Sequence, residues 1–350
     1  MRELWRKPFW PLVALLALNL ALSPGFFAIR IQDGRLYGSL IDILHNGAPV
    51  ALIALGMTLV IATRGIDLSV GAVVAIAAAL ACWWIATSPD PASPGAAVAG
   101  IAVALGVSVA LGAWNGMLVS VLGIQPIIAT LVLMTAGRGL AQLVTDGQII
   151  TVNNPAFAGI SAGELATVPL TVLVAALVYA VVALATRRTA LGTLVEAVGI
   201  NPAASRLVGV PARLIVATVY VFAALCAGVA GLMISSNVNA ADANNAGLWL
   251  ELDAILAVVI GGTSLAGGRF SIVGTLFGAL TIQTLTTTIY SLGIPPTVSL
   301  VFKGVIVLLI CLLQAPRARA LLARRRGRPR PRDTGPPAAR TEAPTVRSSP

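Results

Sequence analysis

GMTLVIATRGIDLSVG, residues Gly56–Gly71, breaks a membrane-length apolar run at Arg64-Gly65 and restarts it after Asp67. Charged side chains next to two apolar segments are costly in lipid unless they lie at an interface, form a pair or line a cavity. Glycine allows tight backbone turns, and non-helical backbone at membrane depth is tolerated only inside protein or beside water. The break therefore predicts an interrupted helix that forms part of a conduit.

The composition excludes a soluble protein, because 57% of the residues are hydrophobic and only 10% are charged, against about 25% charged in soluble domains. The charges are separated by uncharged stretches long enough for helices of roughly 20 residues to cross a bilayer. The predicted fold class is an all-α polytopic membrane protein with about ten transmembrane helices, some of them broken or re-entrant. The predicted spans are 8–28, 41–62, 66–87, 96–122, 126–145, 167–186, 213–236, 250–267, 270–292 and 297–315.

The distribution of lysine and arginine predicts that both termini are cytoplasmic. With the N-terminus inside, only Arg30 and Arg35 fall outside, as the excess of basic residues on the cytoplasmic side requires. Residues 1–316 are predicted to form the transmembrane domain, with a large internal loop at 187–212. Residues 317–350 are predicted to form a basic, disordered cytoplasmic tail that lies over anionic lipid rather than nucleic acid.

Two segments resemble each other, since Leu59–Gly71 (LVIATRGIDLSVG) and Val258–Gly268 (VVIGGTSLAGG) both place a glycine-containing break after a Val-Ile pair. Interrupted helices in corresponding positions of a transporter often mark the translocation site. Small residues also crowd helix interfaces generally, so the similarity permits either interpretation.

Enzyme chemistry is not expected. The sequence contains no phosphate-binding loop, HExxH or GxSxG motif, and it has a single histidine. We therefore predict no catalytic residue, metal or cofactor in this chain.

Polar residues and glycines inside the apolar segments are the candidates for a substrate pathway, since a polar group in lipid must face protein or water. Interhelical hydrogen bonding is the simpler role for the amides, an interface position is the simpler role for the histidine, and pairing or snorkelling is expected for Arg138 and Lys303. The predicted pathway residues are His45, Asn46, Asp67, Gly71, Asn115, Gly261, Gly262 and Gln283.

Four segments, in this order, resemble the sugar-type permeases of bacterial ABC importers, the group of the ribose, xylose and arabinose permeases. They are GMTLVIATRGIDLSVGAVVAI (Gly56–Ile76), WNGMLVSVLGIQPIIATLVLMTAGRGLA (Trp114–Ala141), EAVGINPAASRLVGV (Glu196–Val210) and LDAILAVVIGGTSLAGGRFSIVGTLFGAL (Leu252–Leu280). Two further stretches, Gln32–Gly56 and Ala241–Gly262, are more similar to galactofuranose permeases than to ribose permeases. Arg64 departs from the small or polar residue expected before the glycine.

The resemblance implies a type II importer-like permease in the bacterial inner membrane, which moves a monosaccharide, galactofuranose in this branch, by alternating access. It implies three partners: a cytoplasmic ABC ATPase that binds the ATP, a homologous second permease subunit in a heterodimer, and a periplasmic sugar-binding protein. Residues that match the ATPase-coupling region are Glu196, Gly199, Asn201, Ala204 and Gly209.

The sequence permits three alternatives to a galactofuranose permease. The first is an ABC permease for ribose or another pentose. The second is an ion-coupled secondary sugar carrier, which the lack of a chain of intramembrane acids disfavours. The third is a membrane scaffold without a transport role.

Overall fold

The computed structural model describes residues 2–22, 25–28, 30–32, 35–293, 295, 298, 300–305 and 308–309, and these residues are mostly helical. The helices are α1 (Arg2–Leu22), α2 (Ser39–Ala62), α3 (Val70–Thr87), α4 (Pro94–Ser120), α5 (Pro126–Val144), α6 (Pro155–Ala162), α7 (Leu170–Arg188), α8 (Leu191–Ile200), α9 (Pro202–Leu207), α10 (Ala212–Val238), α11 (Leu250–Ile260) and α12 (Ile272–Ser291). The strands are β1 (Arg30–Gln32), β2 (Arg35–Tyr37), β3 (Ile150–Thr151), β4 (Glu164–Leu165), β5 (Val168–Pro169) and β6 (Ala240–Ala241).

Seven helices in the described residues are long and apolar enough to cross a membrane, namely α2, α3, α4, α5, α7, α10 and α12. They confirm a multi-pass helical membrane protein, whereas the predicted count of ten is not confirmed. The predicted span 250–267 is too long, because α11 has 11 residues and ends at Ile260. Gly262 follows with a φ of 86°, a left-handed conformation that glycine adopts readily and that ends the helix.

The bounds of other predicted helices differ from the observed ones by a few residues. Two further predictions concern residues that lie mostly or wholly outside the described part of the chain. The first helix begins at Arg2 rather than residue 8 and ends at Leu22, and the third begins at Val70 rather than residue 66. Most of the tenth span, 297–315, and all of the tail, 317–350, lie outside the described residues.

Helices α2, α3 and α10 form the centre of the fold. Helix α10 packs against α2, α3 and α4, while α2 also packs against α7, α11 and α12. The backbones of α2 and α10 approach closely, because a Cβ added at Gly56 would lie 2.7 Å from the Ala223 Cα. Small residues at such contacts are the usual means of packing helices in lipid. In contrast, α4, α5 and α7 are mostly exposed on their outer faces.

The break within Gly56–Gly71 has a local cause. Helix α2 ends where Arg64 adopts a left-handed φ of 66°, which is uncommon for a residue other than glycine. Asp67 then accepts hydrogen bonds from the backbone N and the Oγ of Ser69, just before α3 begins. A short acidic side chain that binds the backbone two residues ahead favours a turn over a continuous helix.

The large internal loop contains two short helices, α8 and α9. Three two-stranded antiparallel ladders accompany the helices: β1 with β2, β3 with β6, and β4 with β5. The β3–β6 ladder joins the segment after α5 to the segment after α10, and Gln142 Nε2 reinforces this connection by donating to Asn244 Oδ1 at 2.9 Å.

Candidate functional site

A cavity with a volume of about 400 Å³, called here the large cavity, lies among the described residues. It is surrounded by α2, α10, α11 and α12, together with Ser161, Thr171 and Lys303. Three predicted pathway residues, His45, Asn46 and Gln283, meet in it. Its polar lining residues are His45, Asn46, Ser161, Thr171, Asn237, Asp253, Gln283, Thr286, Tyr290 and Lys303.

Amides, hydroxyls and one ion pair give the large cavity its chemistry. Lys303 Nζ lies 2.7 Å from Asp253 Oδ2, with the side chains 18% and 12% exposed. This contact is the pairing that the sequence analysis expects for Lys303. Gln283, Thr286 and Tyr290 follow at intervals of three and four residues, so they lie on one face of α12. Such groups are suited to the hydroxyls of a small polar ligand.

A second cavity of about 290 Å³, called here the adjoining cavity, lies beside the β1–β2 hairpin. It shares His45, Ser161 and Asn237 with the large cavity. Its polar lining residues are Tyr37, Asp42, His45, Ser161, Glu164, Ser236, Asn237 and Asn239.

Two predicted pathway residues, Asp67 and Asn115, come together elsewhere, in a buried network. Asn115 Nδ2 donates to Ser69 Oγ at 2.9 Å, and Ser69 in turn donates to Asp67. Both Asp67 and Asn115 are 1% exposed, and neither lines the large or the adjoining cavity. The network connects α4 to the break before α3, which is the interhelical role that sequence reasoning offers for an amide.

The three predicted pathway glycines are packing or turn positions. Gly71 lies against the Glu251 side chain and the Gly247 carbonyl, so it has no room for a Cβ. Gly261 faces the start of α12, where a Cβ would lie 2.6 Å from the Thr275 N, and Gly262 takes the left-handed turn. They border the broken helices rather than the two cavities.

The two glycine-containing breaks meet the end of α8 at one point, which we call the coupling junction (Ala62, Arg64, Gly199, Ile200 and Gly268). Gly268 N donates to the Ala62 carbonyl at 2.9 Å. Arg64 Nη2 donates to the Ile200 carbonyl. Arg64 is also the residue with the left-handed φ at the end of α2. Gly199 fits against both Ala62 and Gly268. The internal loop is therefore bound to the first break by the Arg64 side chain, and it packs against both breaks at Gly199.

The remaining predicted coupling residues lie along α8 and α9. Glu196 is half-buried on α8, and Ala204 is exposed on α9. Asn201 begins α9, where its Oδ1 accepts from Ala203 N at 3.1 Å and from Ala204 N at 3.0 Å, a typical N-cap. Gly209 is exposed with a φ of 84° and makes the turn toward α10.

Sequence reasoning missed several cavity residues. Thr286 and Tyr290 carried a usable signal, because they continue the helical face of Gln283. Ser161, Thr171 and Asn237 carried little signal, since hydroxyls and amides at segment ends are common and only the fold brings them to His45. Arg64, which the sequence marked as part of the break but not as a contact of the internal loop, binds that loop.

Comparisons with known proteins place the chain in a family. Residues 39–311 match the family described as the branched-chain amino acid transport system / permease component. The chain is 49% identical over 331 residues to the galactofuranose transporter permease of Escherichia coli K12, which covers 91% of this chain and 94% of the relative.

Two other relatives carry different sugar names. The fructose import permease of Bifidobacterium longum is 39% identical, with 90% of this chain and 89% of the relative covered. The ribose import permease of Escherichia coli K12 is 36% identical, with 88% and 92% covered. No solved structure is a significant match. The chain therefore belongs to the permease-component family that its residues 39–311 match, and is a multi-pass membrane transport permease.

Proposed function

We propose that this chain is the transmembrane subunit of an ATP-driven ABC importer that carries a monosaccharide, galactofuranose, across the bacterial inner membrane by alternating access. The observation that carries the proposal is the large cavity, in which His45, Asn46 and Gln283 meet the Asp253–Lys303 pair. This lining offers donors and acceptors for sugar hydroxyls without a catalytic arrangement. The 49% identity to a galactofuranose permease supports that sugar.

The same proposal fixes the orientation. Both termini are cytoplasmic, the chain crosses the membrane about ten times, and α11 with its following turn is a broken segment that makes one of these crossings. Helix α11, with 11 residues, is too short to cross alone, since a crossing needs roughly 20 residues. The cavity-lining end of α2 then faces outward, and α8 and α9 face the cytoplasm.

Three partners complete the importer. Because this chain has no ATP-binding motif, a separate subunit binds the ATP. A cytoplasmic ATPase binds the surface of α8 and α9, a homologous second permease completes the channel as a heterodimer, and a periplasmic binding protein docks on the outer segments. The β3–β6 ladder supports this docking surface, since it joins the segments 146–166 and 236–249. No nucleic acid is involved, and the basic tail lies against membrane lipid.

The coupling junction gives ATP-driven motion a route to the cavity. A displacement of α8 acts on the end of α2 through Arg64 and Ile200, and on the turn after α11 through Gly199 and Gly268. Helices α2 and α11 both line the large cavity. Movement of one short cytoplasmic helix therefore shifts two walls of the proposed pathway together.

The test is uptake of labelled galactofuranose, with ribose in parallel, into membrane vesicles containing this chain alone or with its ATPase, second permease and binding protein. We expect ATP-dependent galactofuranose uptake only with all four components. Glu196→Ala, at the proposed ATPase contact, lowers the uptake, whereas Leu177→Ala, on the exposed face of α7, serves as the matched control and leaves it unchanged.

Each outcome has a definite meaning. Uptake of ribose instead of galactofuranose keeps the importer and overturns the sugar. Uptake by this chain alone, driven by an ion gradient, overturns the ABC mechanism in favour of a secondary carrier. Absence of uptake with all four components and every tested sugar contradicts the transport role.

A further inference from the structure

One polar cluster contributes to the walls of both the large cavity and the adjoining cavity. Three residues, His45, Ser161 and Asn237, line both spaces. Thr171 lines the large cavity and also contacts His45. Each of the four comes from a different helix: His45 from α2, Ser161 from α6, Thr171 from α7 and Asn237 from α10. The cluster is thus a wall shared by the two cavities, called here the partition, to which four helices contribute.

Hydrogen bonds close this partition around the His45 ring. Its Nε2 lies 3.1 Å from Ser161 Oγ and 3.3 Å from Asn237 Oδ1, and its Nδ1 lies 3.0 Å from Thr171 Oγ1. Ser161 Oγ also donates to Asn237 Oδ1 at 3.2 Å. Both ring nitrogens are therefore engaged, and they join α2 to the three other helices.

We propose that the His45 cluster (His45, Ser161, Thr171 and Asn237) is the outer gate of the pathway, and that the adjoining cavity is a separate entry site for the sugar. The inference rests on the proposed function for its ligand and orientation. The volume of about 290 Å³ is close to the ~300 Å³ lower end of small-molecule pockets, which suits a ligand the size of one sugar ring. The sugar occupies the adjoining cavity first and enters the large cavity when the cluster opens.

The chemistry of the cluster favours opening by a polyhydroxylated ligand. The partition is closed by hydroxyl, amide and imidazole groups rather than by apolar packing. Sugar hydroxyls both donate and accept, so they can replace the partners that these groups lose as the helices separate. A buried polar group left without a partner is unfavourable, and the ligand removes that cost while an apolar solute of the same size does not.

The position of the cluster between four helices means that movement of these helices opens or closes the gate. The cluster draws its members from four helices, so displacement of α2 relative to α6 and α7 lengthens the bonds of both His45 nitrogens. Helix α6 is held to α10 separately, because Ser161 N donates to Ser236 Oγ at 3.0 Å and Ser236 Oγ donates to the Phe157 carbonyl at 2.8 Å. Movement of α2 against this α6–α10 pair opens the gate.

The test measures access from outside to a cysteine on either side of the partition. The complete transporter carries alanine at Cys82, Cys226 and Cys311, and the reporter is Thr286→Cys in the large cavity or, as the matched control, Asn239→Cys in the adjoining cavity. Right-side-out vesicles without ATP are treated with a membrane-impermeant thiol reagent, and the labelling rate is recorded. The readout needs no sugar, so it is independent of which sugar is transported.

We expect Thr286→Cys to react at least ten times more slowly than Asn239→Cys while the gate is closed. His45→Ala, or Thr171→Val where the first variant does not assemble, raises the Thr286→Cys rate tenfold or more and leaves the Asn239→Cys rate within twofold. Equal rates for the two reporters before any gate substitution overturn the proposal. A Thr286→Cys rate that neither substitution changes overturns it as well. Absence of sugar uptake by the transporter without substitutions would instead contradict the proposed function.

Discussion

Replacing Gly199 with alanine perturbs the coupling junction with a single methyl group. The added Cβ overlaps the Ala62 carbonyl oxygen and lies 2.7 Å from Gly268 N. Both obstructing groups are backbone, so neither is able to rotate away as a side chain does. The end of α8 must therefore move away from the end of α2 and from the turn after α11.

The expected cost follows from two contributions. Overpacking in a tightly packed site costs ~1–3 kcal/mol. The hydrogen bond from Gly268 N to the Ala62 carbonyl, 2.9 Å long, lies at the obstructed point, and its loss adds ~1 kcal/mol. We therefore expect Gly199→Ala to lower the free energy of unfolding by about 2–4 kcal/mol in total. Because the junction connects α8 to two walls of the large cavity, uptake should fall more steeply than the amount of folded protein.

The assay combines a thermal melt of the purified subunit in nanodiscs with ATP-dependent uptake by the assembled transporter, normalised to folded protein. Gly106→Ala is the matched control, because Gly106 lies within α4 and a Cβ there meets nothing within 4 Å. The control should keep its uptake and gain up to ~1 kcal/mol from helix propensity. A Gly199→Ala transporter with unchanged melting midpoint and unchanged uptake would refute the reasoning.

Three further predictions concern the cavity and the internal loop. Asp253→Asn leaves Lys303 without its carboxylate and should lower the free energy of unfolding by ~3 kcal/mol. The double variant Asp253→Asn/Lys303→Met should recover most of the melting midpoint. A single variant as stable as the double one would contradict a stabilising role for the ion pair. Gln283→Ala should keep the melting midpoint and lower the kcat/KM of uptake roughly tenfold, equivalent to ~1.4 kcal/mol, whereas unchanged kinetics would remove Gln283 from the pathway. Asn201→Ala should cost α9 about 1 kcal/mol, seen as faster amide hydrogen exchange at the start of that helix; unchanged exchange would show that the cap is not needed.

The sequence predicted the membrane fold and most helix positions, because long uncharged stretches leave the chain few alternatives. It predicted the break after α2 from Arg64, Gly65 and Asp67, residues whose charge or backbone freedom is poorly suited to a continuous helix in lipid. It overextended the helix at 250–267, since the uncharged stretch continues past Ile260 to Gly268 while the left-handed Gly262 ends the helix. Hydropathy alone does not record that change in backbone conformation.

The predicted pathway residues separate into two groups for a physical reason. His45, Asn46 and Gln283 reach the large cavity, whereas Asp67 and Asn115 are linked to one another through Ser69. Both groups obey the rule that a polar residue in lipid faces protein or water, and the sequence does not distinguish the two outcomes. The distinction depends on which helices touch, and this also hid Ser161, Thr171 and Asn237.

The central claim is that sugar passes through the large cavity. Thr286→Trp places a large side chain in that space, and Leu177→Trp, at a site 64% exposed on α7, is the matched control outside it. The decisive measurement is ATP-dependent galactofuranose uptake by the complete transporter carrying either substitution, with equal amounts of folded protein. The account predicts that Thr286→Trp abolishes uptake while Leu177→Trp preserves it. Uptake that persists in both variants would contradict the claim and place the pathway elsewhere in the transporter.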